Sequence, residues 1–117
     1  MSDVVVTVPK SVWDEWIAEG DLPGEAPSGE EYEYTIASSM PPTVFPGERV
    51  YIVAHGRLRG YAPLVRVKTW DYRRHSLVRA GGAVAVTING PIVGFRGVRY
   101  RWWRRQEERP FPEWRTP

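Results

Sequence analysis

The chain contains no cysteine. That excludes a disulfide scaffold, a thiolate zinc centre and a cysteine nucleophile, and it agrees with a reducing compartment. Lysine is nearly absent too: Lys10 and Lys68 are the only lysines among sixteen basic residues. The other bases are arginine, which suits phosphate, carboxylate and aromatic-face contacts better than lysine, although a GC-rich genome produces the same bias. The two histidines, His55 and His75, are twenty residues apart without ligand-like spacing, so no metal is expected. No window approaches the roughly 18 apolar residues that cross a bilayer. Asp3 stands where a secretory signal would carry a basic n-region. The expectation is a cytoplasmic protein with no membrane partner. No Gly-x-Ser-x-Gly, phosphate loop or dinucleotide fingerprint is present, and adjacent Glu30 and Glu31 would point apart rather than form a carboxylate pair. No cofactor is expected, and no catalytic residue is assigned.

What is present fits one domain over residues 1–117. A chain of this size buries roughly two-thirds of its unfolded surface, enough for one small core. The net charge of +2 hides a strong segregation. Residues 1–48 carry ten acids against Lys10, a balance of −9, and residues 49–117 carry fifteen bases against four acids, a balance of +11. Such asymmetry points to an anionic partner for the second part.

The pattern of elements is mainly β. Val4 to Val8 is a β-branched run and reads as a first strand. Ser11 and Asp14 have the spacing of a helix cap, Val12, Trp13, Trp16 and Ile17 form a helical stripe, and Gly20 supplies a stop, which predicts a helix over about residues 11–19. A Gly/Pro/acid loop over residues 20–31 precedes a strand from Tyr32 to Ala37. Glu48 to Ala54 is a strong strand, and Leu58 to Lys68 its return, with Gly60 and Pro63 marking a bulge or edge. Ser76 to Arg79, Ala83 to Ile88 and a long segment from Ile92 to Trp103 complete the strand candidates. About six strands, one helix and a turn signal every 8–12 residues predict an α+β protein: a small mixed β-barrel with an N-terminal accessory helix.

Pro46-Gly47-Glu48-Arg49-Val50-Tyr51-Ile52-Val53, followed by Gly56-Arg57-Leu58-Arg59-Gly60-Tyr61-Ala62-Pro63-Leu64-Val65, resembles the corresponding strand pair of PUA-like β-barrels, the ASCH branch in particular. The motif covers about residues 46–68, and the remainder agrees in element order. The resemblance implies a barrel whose cleft contacts RNA or a modified nucleotide. Some ASCH proteins are amidohydrolases of acetylated cytidine and carry a Gly-Lys-Lys-Thr-x-Glu-x-Arg-like strand after the first helix. Here Gly20-Asp21-Leu22-Pro23-Gly24-Glu25 stands in that place, with neither lysine nor threonine, so no catalytic residue is carried over.

Arg96-Gly97-Val98-Arg99-Tyr100-Arg101-Trp102-Trp103-Arg104-Arg105 is the segment richest in binding chemistry. As a strand it places Arg99, Arg101 and Trp103 on one face, able to neutralise phosphates and stack a base; the competing reading has the aromatics in the core and the arginines solvated. Arg57, Arg59 and Tyr61 flank a turn where Gly60 would let a ligand approach the backbone. Trp70, Tyr72, Arg73 and Arg74 fall on a predicted connection, where exposed aromatics beside bases suit an unstacked nucleotide. Together with Arg96 these ten positions form the expected nucleic-acid-binding set. The acidic stretch from Glu25 to Glu33 competes with it, because it can lie against the same arginines. Three functions follow: a module binding RNA or single-stranded DNA; a small accessory or assembly protein, phage-type in character, that forms a homo-oligomer; and an amidohydrolase-like enzyme on a modified nucleoside, for which Lys68, Thr69, Glu48 and His55 are the available groups.

Overall fold

The computed structural model describes residues 3–9, 13, 31–37, 44–71, 73–80, 84–95, 97–111 and 113. The β-branched and apolar runs become strands: β1 (Val4–Thr7), β2 (Glu31–Ala37), β3 (Arg49–Ala54), β4 (Arg57–Asp71), β5 (Arg74–Ala80), β6 (Val86–Thr87), β7 (Val98–Tyr100) and β8 (Arg109–Pro110), with a 3-10 turn at Arg105–Glu107. Six strands form one sheet in the order β2-β5-β4-β3-β1-β7, and β6 pairs with β8 in a separate ribbon. β1 runs parallel to β3, whereas every other pair is antiparallel.

The valine run of β1 does not alternate with polar residues because both of its faces are covered. Val4 and Val6 pack with Val44, Val50, Leu64 and Leu77. Val5 faces the other way, onto Tyr51, Val53, Leu58, Ile92 and Trp103. β4 links the two halves of the sheet: its first part pairs with β3 and its second with β5, with register shifts in both ladders. Each extra residue bends and twists the strand. The sheet is therefore strongly curved, and Tyr34 on β2 packs into the same cluster as Val6 on β1 although the two strands are four places apart.

The curvature stops short of closure. β2 and β7 remain edges, so among the described residues the expected barrel is an open mixed sheet. The helix expected over residues 11–19 lies outside the described residues except for Trp13, which is 2% exposed and donates its backbone N–H to the Pro9 carbonyl at 3.0 Å. The long strand expected from Ile92 to Trp103 shrinks to Val98–Tyr100. Gly97, at φ +75°, turns the chain into β7, and a glycine adopts that conformation without strain. No helix among the described residues is long and apolar enough to cross a membrane.

Gly60 has a specific steric role. A Cβ there would sit 2.5 Å from the Val84 carbonyl oxygen. Tyr61 and Val84 exchange two backbone hydrogen bonds, at 3.0 and 2.7 Å. The close approach expected for a ligand is thus occupied by the chain's own backbone. Gly60→Ala is expected to cost roughly 1–3 kcal/mol through overpacking, read as a lower urea midpoint at unchanged slope. An unchanged midpoint would mean that Val84 does not cross β4 there.

Candidate functional site

Among the described residues, the expected binding residues do not converge on one cleft. Tyr72 and Arg96 lie outside the described residues. Arg57 and Arg59 are drawn inward at the start of β4. Ile52 pairs with Gly60 and Val53 with Leu58, which leaves Arg59 as the extra residue of a bulge. Its side chain is turned into the protein, 1% exposed, with Nε donating to the Ala54 carbonyl at 2.9 Å. The Arg59 guanidinium lies 5.4 Å from the Phe111 ring centre and 5.9 Å from that of Trp13. Burial, aided by the neighbouring Arg57 charge, pulls its pKa down to about 10, which still leaves it protonated at neutral pH. Arg57 lies 4.3 Å from the Phe111 ring centre. Tyr61 is half-buried, 5.4 Å from the Tyr51 ring, with the Arg49 guanidinium 4.0 Å from its own. Arg59 is thus turned into the core and away from any ligand surface, whereas Arg57 and Tyr61 stay partly exposed against aromatic and arginine neighbours.

The alternation expected for Arg99, Arg101 and Trp103 fails because β7 ends at Tyr100. Arg101 turns back to Asp3: its Nε donates to Asp3 Oδ2 at 3.2 Å, and its Nη1 to the Trp103 carbonyl. Trp103 is 7% exposed, packs edge-on against Tyr51, and donates Nε1–H to Glu108 Oε2 at 2.9 Å. Arg99 stays exposed, with its guanidinium 4.4 Å from the Phe95 ring centre. The outward aromatics are instead Tyr100 and Trp102, each about half exposed.

Two carboxylates organise this region. Glu108 accepts from Tyr51 Oη at 2.6 Å, from Trp103 Nε1 and from Arg49 Nη1 at 3.1 Å. Asp3 accepts from the Arg49 amide at 2.9 Å, from Arg101 and from Arg105 Nη2 at 2.9 Å. Burial alone would raise the Asp3 pKa. The Arg49 amide and the Arg105 and Arg101 guanidiniums outweigh burial and hold it below the ordinary carboxylate range. Acids of the first part of the chain therefore do lie against bases of the second, here and at Glu33–Lys68.

Beyond Asp3, Arg101, Trp103, Arg104, Arg105 and Gln106 line an open crevice of about 530 Å³. Arg104 is exposed, and the Arg105 side chain is 52% exposed. Guanidiniums in this setting bind phosphate or carboxylate through paired N–H donors. Trp102 and Tyr100 stand beside them in sequence and are each about half exposed, Trp102 packing edge-on with Phe95 and Trp103. The sequence signal missed for Arg104 and Arg105 is their position after the strand, where a 3-10 turn replaces strand alternation.

A second exposed group sits at the β4–β5 turn. Trp70 is 54% exposed, and Arg73 and Arg74 are exposed beside it. The groups considered for catalysis are dispersed. Lys68 is paired with Glu33. Thr69 Oγ1 lies 3.1 Å from His75 Nδ1. Glu48 accepts the Phe45 amide, whereas His55 occupies the β3–β4 turn at φ 52°. Glu48 and His55 flank opposite ends of β3, roughly 20 Å apart at about 3.3 Å per residue, and share no site. Among the described residues no three His, Asp or Glu side chains are grouped to hold a metal. No family model, curated protein or solved structure matches the chain.

Proposed function

We propose that the chain is a binding module for single-stranded nucleic acid, RNA or DNA, and that the arginine crevice with Arg99 and Trp102 is its primary contact. The observation that carries this is the grouping of Arg101, Arg104 and Arg105 around one open crevice, with half-exposed Trp102 packed edge-on against Trp103 of its lining. Phosphates supply the affinity in such a site. Aromatic faces add stacking that any unpaired base can use. The similarity of residues 46–68 to PUA-like domains supports the same function, and the open mixed sheet is read as a variant of that barrel. The lack of cysteine supports a cytoplasmic setting.

Fluorescence anisotropy with labelled single strands tests the proposal. For about three phosphate contacts, log affinity is expected to fall against log salt with a slope of about −2. Arg104→Glu combined with Arg105→Glu is expected to weaken binding roughly 10- to 100-fold and to flatten the slope by about 1.4, two contacts at about 0.7 each. Arg105 also pairs with buried Asp3, so melting curves for the variant, and Arg104→Glu alone as a second variant, separate lost binding from lost fold. Absence of binding by the unaltered protein at low salt would refute the proposal.

A further inference from the structure

Trp70 is exposed and yet fixed in place. Its Nε1–H donates to Ser76 Oγ at 2.8 Å, and Ser76 Oγ lies 3.0 Å from Thr35 Oγ1. The indole is thereby tied through β4, β5 and β2, while 54% of the residue faces solvent. Lys68 Nζ and the Arg74 guanidinium lie 5.6 and 5.9 Å from its ring centre. Both cations sit over the ring near the outer limit of about 6 Å for a cation–π contact, a contact weak enough for a stacking base to displace. Lys68 is shared with Glu33. Arg73 and Arg74 are the exposed bases at this turn. A ring held in one orientation loses little freedom when a ligand stacks on it.

This group lies outside the lining of the crevice. Tyr100, Val4, Val50 and Ala62 form one row across β7, β1, β3 and β4. Trp70 lies eight residues further along β4. Counted along the sheet at about 3.3 Å per residue and about 4.8 Å per strand, Trp70 and Tyr100 are roughly 30 Å apart, and the curl that sets Thr35 and Gly97 around one cavity makes the direct path shorter, in a molecule whose longest dimension is 39 Å. We infer that Trp70, with Arg73 and Arg74, is a second stacking platform for an unpaired base, and that one single strand bridges it and the arginine crevice. The inference rests on the proposed nucleic-acid function and adds a bipartite footprint to it.

The test is anisotropy with oligo-U and oligo-dT of about 4 and about 16 nucleotides, the limits of the footprint of small β modules. Trp70→Ala is expected to weaken the longer strand roughly 5- to 150-fold, the range of one base–aromatic stack, and to leave the shorter strand unchanged. Trp70→Phe should restore most of the loss. Arg73→Glu with Arg74→Glu is a second variant at exposed positions, expected to act in the same direction. Unchanged binding of the longer strand by Trp70→Ala, with the Arg104/Arg105 variant still defective, would overturn the bridge and leave the crevice proposal standing. A loss in the Trp70 variant with none in the Arg104/Arg105 variant would keep the platform and overturn the crevice. Failure of the unaltered protein to bind any strand would overturn both.

Discussion

Glu108→Ala is expected to destabilise the protein by roughly 3–5 kcal/mol, the cost of stripping one partner from a buried charged network. The Glu108 side chain is 6% exposed, and its two oxygens satisfy three donors on two different parts of the chain. Without it the Tyr51 hydroxyl, on a fully buried residue, and the Trp103 indole N–H lose their acceptor. Rehydrating them would require prising the C-terminal segment from β3. For a domain of this size the loss corresponds to a melting-temperature drop of the order of 10–25 °C. Glu108→Gln keeps the shape and one acceptor oxygen and should lose about half as much. Burial, reinforced by the hydrogen bond to Glu108, pushes the Tyr51 hydroxyl well above its ordinary range, so it remains a donor in alkali. The unfolded chain would ionise that tyrosine near pH 10 and the folded one would not, so stability falls as pH rises past 10. A Glu108→Ala protein melting with the unaltered one would show that residues 101–111 are not clamped to the sheet.

The same network explains which features could be read from the sequence. The valine run, the strand after Gly47 and its return through Pro63 are local patterns, and they emerge as β1, β3 and β4. The charge segregation was also visible, and two of its acids are seen paired with the opposite half. What period-two alternation could not convey is where β7 stops. Arg101 is claimed by Asp3, 98 positions earlier, and that contact takes it off the outward face assigned to it. Trp102 and Trp103 are identical in type and adjacent. The one with Glu108 within reach of its indole N–H is buried, and the other is half exposed. Arg59 was misplaced for a similar reason, because the bulge that turns it inward depends on the register against β3. Long-range partners decided these positions, and no local pattern encodes them.

Asp3→Asn is expected to pull stability and affinity in opposite directions. Asp3 is buried, and its carboxylate meets two guanidiniums and the Arg49 amide. The asparagine can accept from only part of that set, and its N–H2 group faces cations. Because the two arginine side chains are 22% and 52% exposed, water recovers part of the loss, and the cost should be about 2–3 kcal/mol rather than the full amount for a buried pair. The pH dependence identifies the source. The folded Asp3 carboxyl is held below its ordinary value of 3.8, so between the two values the unfolded chain binds more protons and stability rises with pH. The stabilisation from Asp3 is therefore complete above about pH 5 and is lost as pH falls below 4. Denaturation of both proteins from pH 7 to pH 3 should show their difference shrinking toward acid. A gap that stays constant would assign the loss to packing rather than to the charge. At neutral pH the same substitution removes the carboxylate that competes with phosphate for Arg105 and raises the local charge by one. If the crevice binds single strands, Asp3→Asn should bind them several-fold more tightly at low salt while melting earlier, and added salt should erase the gain. Weaker binding by a folded Asp3→Asn protein would mean that Asp3 holds Arg101 and Arg105 in the binding geometry instead of competing for them.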